Sequence, residues 1–369
     1  MTRLLILSVS AGNGHVRAAQ ALDAAARSFA AHTATHLDAM DFVWSGLRKV
    51  YTQGYAGLVA RAPRLWSYVH QHTDTTPHTA TSQRLRRGIE RLSALALLRE
   101  IKRLRPDAVI CTHFLPAELL MRERNRGRID CPVWLQITDY DLHNMWLVPG
   151  MAGYFAATDE VAFRLQARGI PAAQIHVTGI PVMPGFAKAP PAMLPGLDPA
   201  RPVLLMVSGG AGVGDLASMV ERVLALGGAF QVIAVAGRNV VAKTALDALA
   251  LRYAGRLVAI GFTNEMHMLM AAADLVVTKP GGLTVSECLA LGKPMLLISP
   301  IPGQEEHNAG FLMEAGAAWL AYDAIGLEYK VARLMSDAPQ LAAMAAASRA
   351  LGKPHAARDV LRHVLSEPS

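Results

Sequence analysis

Residues 276–308 constrain this chain more than any other stretch: VVTKPGGLTVSECLALGKPMLLISPIPGQEEHN. A short apolar run ends at Pro280-Gly281-Gly282, where glycine tolerates the positive φ that tight turns often need. A helical stretch follows, with Thr284 or Ser286 in its first turn and Glu287 about one turn in. Lys293-Pro294 stops that helix, and Met295–Ile298 reads as the next buried strand. Pro302-Gly303-Gln304-Glu305 opens a second loop at the same sheet edge. The order strand, turn, helix, strand makes a βαβ unit, and its second strand returns parallel to the first. A helix N-terminus at such an edge offers unpaired N–H groups and the positive end of a dipole to phosphate. A carboxylate at Glu287 is suited to accept hydrogen bonds from two neighbouring hydroxyls, as a ribose diol offers.

The same alternation recurs along the 369 residues in two sets. The first set of strands is Arg3–Ser10, Thr35–Met40, Asp107–Cys111, Pro132–Ile137, Gly153–Thr158 and Gln174–Gly179. The second is Val203–Ser208, Gln231–Ala236, Arg256–Ile260, Asp274–Thr278, Met295–Ile298 and Ala317–Ala321. Helices are expected between them, from about Val16 to Phe29 and from about Pro116, with Asp159 capping the helix that runs to Arg168. Residues 183–202 are proline-rich and aperiodic, which marks a linker. The length suits two domains. The expected layout is an α/β chain with two Rossmann-like doubly wound domains: 1–182, then 203–352, with a helical tail at 353–369.

Composition narrows the partners. Hydrophobic residues make up 52% of the chain, enough for large cores. No apolar run approaches the roughly 18 to 20 residues of a membrane-spanning helix. The start, MTRLLILSVSAGNGH, reads as a first strand and not as a signal peptide. Three cysteines (Cys111, Cys131, Cys288) form no CxxC pair, as expected of buried thiols in a cytoplasmic protein. No cluster has metal-ligand spacing, so no metal or other cofactor is expected. A formal charge of +7 favours acidic partners, but there is no zinc finger, no RNP-like strand and no aromatic-rich basic stripe, so nucleic acid is not expected. Phosphate ligands and an anionic membrane surface remain. Residues 42–105 lack the strand–helix rhythm. Bases and aromatics interleave over 42–70, where Trp44, Arg48, Lys49 and Trp66 are the candidate membrane contacts. Leu85, Ile89, Leu92, Leu95, Leu98, Ile101 and Leu104 recur at helical spacing, opposite a basic face. The arginine-rich run at 122–128 reads as a solvated helix end and turn.

A second glycine loop follows the first strand: Ala11-Gly12-Asn13-Gly14-His15. The GxGxxG fingerprint fails at Arg17, and no Walker lysine is present. A third loop, Ser208-Gly209-Gly210-Ala211-Gly212-Val213-Gly214, also leads into a helix. Polar residues follow other strands: His113, then Asp139, Asp141 and His143, which places them where open α/β sheets bind ligands.

The patterns TKPGG-(x)3-SE, GKP, PGQE-(x)2-N and SAGNGH together resemble one branch of the GT-B glycosyltransferases. That branch holds MurG, the monogalactosyldiacylglycerol synthases and the processive diacylglycerol glucosyltransferases. The stretch ITDYDLHNMWLVPGMAGYFAATDEV resembles the acceptor half of the diacylglycerol enzymes. The resemblance implies a GT-B fold with a cleft between the domains, and inverting, metal-independent transfer of glucose or galactose from a UDP-sugar to diacylglycerol or a similar lipid. It implies His15 as the base on the acceptor hydroxyl, with Gly12, Asn13, Gly14, His113, Asp139 and His143 around the acceptor. It assigns the donor to Gly209, Gly210, Gly261, Phe262, Thr263, Gly281, Gly282, Thr284, Glu287, Gln304 and Glu305, with Glu287 on the ribose. Peripheral attachment to the inner face of the cell membrane follows from the same reading. Transfer to a polyprenyl-linked acceptor, a UDP-sugar 2-epimerase on the same fold, and a non-catalytic binding module are the alternatives. The sequence leaves the hexose, processivity and oligomeric state open.

Overall fold

The computed structural model describes residues 2–10, 12–29, 32–43, 95–188, 190, 196–207 and 215–366. Trp44, Arg48, Lys49, Trp66, Gly209, Gly210 and the start of the 84–105 pattern lie outside the described residues. The chain divides into two compact units. One comprises the described residues of Met1–Pro184 and His355–Ser369, the other those of Gly185–Pro354.

The first unit is built on six parallel strands: β1 (Thr2–Ser8), β2 (His32–Asp38), β3 (Ala108–Cys111), β4 (Val133–Gln136), β5 (Gly153–Ala156) and β6 (Ile175–Val177). Their order is β2-β1-β3-β4-β5-β6, with Leu4 beside Ala108 and Leu7 beside Cys111. From β1 the chain moves to one side for β2 and to the other for β3. The carboxyl ends of β1 and β3 therefore flank the point of reversal, where such sheets bind ligands. Both faces are covered, so the central strands carry consecutive apolar residues, Leu4–Leu7 in β1 and Ala108–Cys111 in β3. Leu5, Leu7, Val109 and Leu135 face α3 (Phe114–Arg124) and α4 (Asp159–Ala167). Leu4, Ile6, Ile110, Trp134 and Phe155 face α1 (Asn13–Ala26) and α12 (Ala356–Ser366). α1 offers alanines to that core (Ala19, Ala21, Ala25, Ala26), and α12 inserts Val360, Leu361 and Val364.

The second unit repeats the plan with β7 (Val203–Val207), β8 (Gln231–Val235), β9 (Leu257–Ile260), β10 (Leu275–Thr278), β11 (Met295–Ile298) and β12 (Ala318–Ala321), in the order β12-β11-β10-β7-β8-β9. Its reversal lies between β7 and β10. Its helices are α5 (Leu216–Ala225), α6 (Val240–Arg252), α7 (Met266–Ala272), α8 (Gly282–Ala290), α9 (Gln304–Glu314), α10 (Ala324–Met335) and α11 (Ala338–Leu351).

All twelve expected strands are present, while several details differ. α1 begins at Asn13, not near Val16, because Gly12 can take an extended N-cap conformation. Thr158, not Asp159, caps α4: its hydroxyl accepts from the Val161 N–H at 3.2 Å. In the helix over residues 95–104 (α2), Leu98 and Ile101 are buried and Leu104 packs against the core as the spacing suggested, joined by Leu97, whereas Leu95 is 49% exposed. The 122–128 turn is not merely solvated: buried Glu123 accepts from Arg126 at 2.6 Å and Arg128 at 3.0 Å. The expected linker is anchored at its end. The Gln231 side chain donates to Asp198 O and Arg201 O and accepts from the Asp198 N–H.

Candidate active site

His15 is the third residue of α1, at the carboxyl end of β1. Its Nδ1 lies 2.9 Å from the Thr112 carbonyl oxygen and 2.9 Å from Thr138 Oγ1. A carbonyl can only accept, so Nδ1 carries the proton and the lone pair sits on Nε2. Nε2 has no hydrogen-bond partner among the described residues. Burial holds the imidazole below its ordinary pKa of 6.5, against the opposing pull of the Asp139 charge and the Thr112 carbonyl. The helix N-terminus also disfavours the imidazolium. A neutral imidazole whose Nε2 has no partner among the described residues is suited to act as a general base.

The loops after β3 and β4 complete the setting. The Thr112 hydroxyl donates to His15 O at 2.9 Å, so one residue holds both the backbone and the ring of His15. His113 packs edge-on against the His15 ring, centroids 4.5 Å apart, and its Nδ1 caps α3 by accepting from the Leu115 N–H. His143 caps the short 3-10 turn Asn144–Trp146 in the same way. That turn brings the Trp146 ring to 6.1 Å from His15, and Trp146 Nε1 donates to Asp139 Oδ2 at 3.2 Å. His113, Asp139 and Trp146 thus gather around His15, while Asp141 pairs with Arg164. Asn13 and Gly14 form the first turn of α1, with Asn13 exposed. Thr112, Thr138 and Trp146 were not singled out from the sequence. Thr112 and Thr138 sit just past strand ends, the signal that did flag their neighbours.

In the second unit, α8 starts directly after β10 and the Lys279–Gly281 turn. Gly281 has φ −69° and Gly282 is already helical, so the turn needs no positive φ, contrary to the expectation for this pair. Thr284 lies in the first helical turn. The Ser286 hydroxyl is used internally, donating to Gly282 O at 2.6 Å. Glu287 is buried on α8. Asn308 Nδ2 donates to Pro280 O at 2.9 Å, which ties the turn to α9. Gln304 and Glu305 open α9, and Glu305 Oε2 accepts from the Ile301 N–H at 2.8 Å. A Cβ on Gly281 would stand 3.5 Å from Glu305 Oε1, so the two loops are adjacent. Past β9, Phe262 is 57% exposed beneath the Arg238 guanidinium, 4.7 Å from the ring centroid. Gly261 precedes it, and Thr263 Oγ1 accepts from the Glu265 N–H.

The helix starts differ in kind. α1, α8 and α9 follow Gly12, Gly281 and Gly303, which offer no side-chain cap. α5, α6, α10 and α11 are capped by Asp215, Asn239, Asp323 and Asp337. The glycine-started helices have no N-cap side chain at the carboxyl edges of the sheets, where the helix dipole favours an anion. No group of three or more metal-ligating side chains occurs among the described residues.

Comparison with known proteins agrees with this layout. The family model for monogalactosyldiacylglycerol (MGDG) synthase matches residues 15–182, and that for the glycosyltransferase family 28 C-terminal domain matches residues 203–360. A processive diacylglycerol beta-glucosyltransferase of Bacillus pumilus (strain SAFR-032) is 31% identical over 287 residues, 77% of this chain and 73% of that one. Among solved structures, MurG of Acinetobacter baumannii superposes with a TM-score of 0.64 at 18% identity, over the whole of both chains. A UDP-GlcNAc 2-epimerase from Neisseria meningitidis bound to UDP-GlcNAc gives 0.63 at 13%, again over the whole of both. At such identities the structures show the shared GT-B fold alone. The sequence matches span both halves and most of the B. pumilus relative, and on that ground the chain belongs to the glycosyltransferase family that holds the MGDG synthases and the processive diacylglycerol beta-glucosyltransferases.

Proposed function

We propose that this glycosyltransferase moves a hexose from a UDP-sugar to the free hydroxyl of diacylglycerol or a similar membrane lipid, with inversion and without a metal ion. The observation that carries the reading is the clamp on His15: Nδ1 is tied to Thr112 O, and Nε2 is left as the base. In the proposed step the acceptor oxygen bonds to the sugar C1 and its proton passes to Nε2. The bond from C1 to the diphosphate oxygen breaks, and UDP leaves with the electron pair. The N-termini of α8 and α9 favour the charge on the leaving group through their dipoles, and Glu287 holds the ribose. Gly261, Phe262 and Thr263 are assigned to the uracil. Gly209 and Gly210 are assigned to the diphosphate on the sequence pattern alone. The acceptor side comprises the 12–15 loop, His113, Asp139 and His143.

A lipid acceptor brings the enzyme to a membrane surface. The net charge of +7 favours an anionic one, and no helix among the described residues is long and apolar enough to cross it. Peripheral attachment through Trp44, Arg48, Lys49 and Trp66 on the cytoplasmic side is part of the proposal.

The test is release of UDP from UDP-glucose and UDP-galactose, with and without diacylglycerol vesicles and with a chelator present. Lipid-dependent release that His15→Ala lowers about 10²- to 10⁴-fold, unaffected by the chelator, supports the reading. Release that needs a polyprenyl-linked lipid replaces the acceptor. Epimerised nucleotide sugar, or UDP binding without turnover, overturns the transferase step.

A further inference from the structure

We propose that the Lys279 ammonium binds the diphosphate of the sugar donor and meets the charge that arrives on the β-phosphate oxygen as the sugar departs. The inference rests on the donor reading above and adds a residue to it.

Lys279 is the first residue past β10, at the reversal of the second sheet and next to the Gly281 start of α8. It is half-buried, yet its amine makes no hydrogen bond and no ion pair with any described residue. The charge that bears on it is that of Glu305, whose carboxylate is already engaged by the Ile301 N–H. Burial pulls the Lys279 pKa below its ordinary value, against the opposing pull of Glu305.

Another half-buried lysine of this unit shows what a structural role looks like. Lys293 is desolvated in the same way, and its Nζ donates to Ala271 O at 2.7 Å and Ala273 O at 2.9 Å. Those carbonyls lie at the end of α7, where a cation is favoured. Lys293 is thus satisfied by the fold, whereas Lys279 carries the cost of desolvation without that return from any described residue. An ammonium in this state is completed by a ligand that supplies acceptor oxygens and negative charge. The uncapped start of α8 beside it asks for the same chemistry. A diphosphate has both properties, and the sugar C1–O bond breaks toward it. Lys279 keeps its proton throughout, and the acceptor's proton goes to His15.

Calorimetric titration of the full chain and of the variants Lys279→Met and Lys279→Arg, with UDP and separately with uridine, tests this. Lys279→Met should weaken UDP binding about 10- to 100-fold and leave uridine binding unchanged, since a charged hydrogen bond is lost only with phosphate. Lys279→Arg should recover most of the affinity. UDP and uridine weakened alike would show a structural role and overturn the inference, as would UDP binding unchanged in both variants. If the unaltered chain bound neither compound, the donor reading itself would fail.

Discussion

A histidine serves as a base at neutral pH when its proton is held elsewhere and its lone pair faces the substrate. His15 meets the first through a backbone carbonyl and a hydroxyl contributed by loops roughly a hundred residues away in the chain, and its Nε2 has no hydrogen-bond partner among the described residues, as the proposed base requires. Because burial keeps its pKa below 6.5, the neutral form persists into mildly acidic solution. Lipid-dependent kcat/KM for UDP release should therefore be flat through neutrality and fall on the acid side, with a midpoint below 6.5. A midpoint at or above that value would mean that another group, or a solvated His15, is the base. The histidine itself was legible in SAGNGH. Its clamp was not, because the main-chain oxygen of Thr112 has no signature in the residue names.

At the scale of elements, the motif glycines separate into two kinds. Gly12 is extended and Gly281 has φ −69°, conformations open to any residue. Gly303 has φ +88° and ψ −102°, which a side chain adopts only with strain. Gly303→Ala should therefore cost about 1–3 kcal/mol and lower the melting temperature. Gly281→Ala should leave stability within about 0.5 kcal/mol, since its new methyl meets Glu305 Oε1 only at ordinary contact distance. Its effect should appear in KM for the donor, because a Cβ there crowds the start of α8. Thermal melts beside donor kinetics distinguish the two, and a destabilised Gly281→Ala would show that the turn is tighter than its dihedral angles imply. The order of strands was readable from their apolar runs. Which glycine is obligatory was not, because a glycine in a motif does not reveal the backbone angle it adopts.

For the whole molecule, the last helix belongs to the first unit. α12 buries Val360, Leu361 and Val364 against Leu4, Ile6, Leu22, Trp134 and Phe155. At about 1.5–3 kcal/mol for each fully buried aliphatic side chain, its removal is comparable to the stability of a domain. A chain ending at Pro354 should lose the cooperative melt of the first unit in calorimetry and retain that of the second. A single unchanged transition for the first unit would show that α12 only decorates its surface. The sequence marks this segment as a helical tail, but helical pattern alone does not say which core receives it.

By itself the sequence determined the two parallel α/β units, the order of their elements and the family, and it singled out the loops proposed to carry chemistry. Those features depend on local periodicity, on turn residues and on motifs that are contiguous in the chain. Tertiary structure decided which nitrogen of His15 carries its proton, which half-buried lysine is satisfied, and where the final helix docks. Each of these depends on a partner far away in sequence, often a backbone atom, and distance in space is what hydrogen bonding and burial respond to.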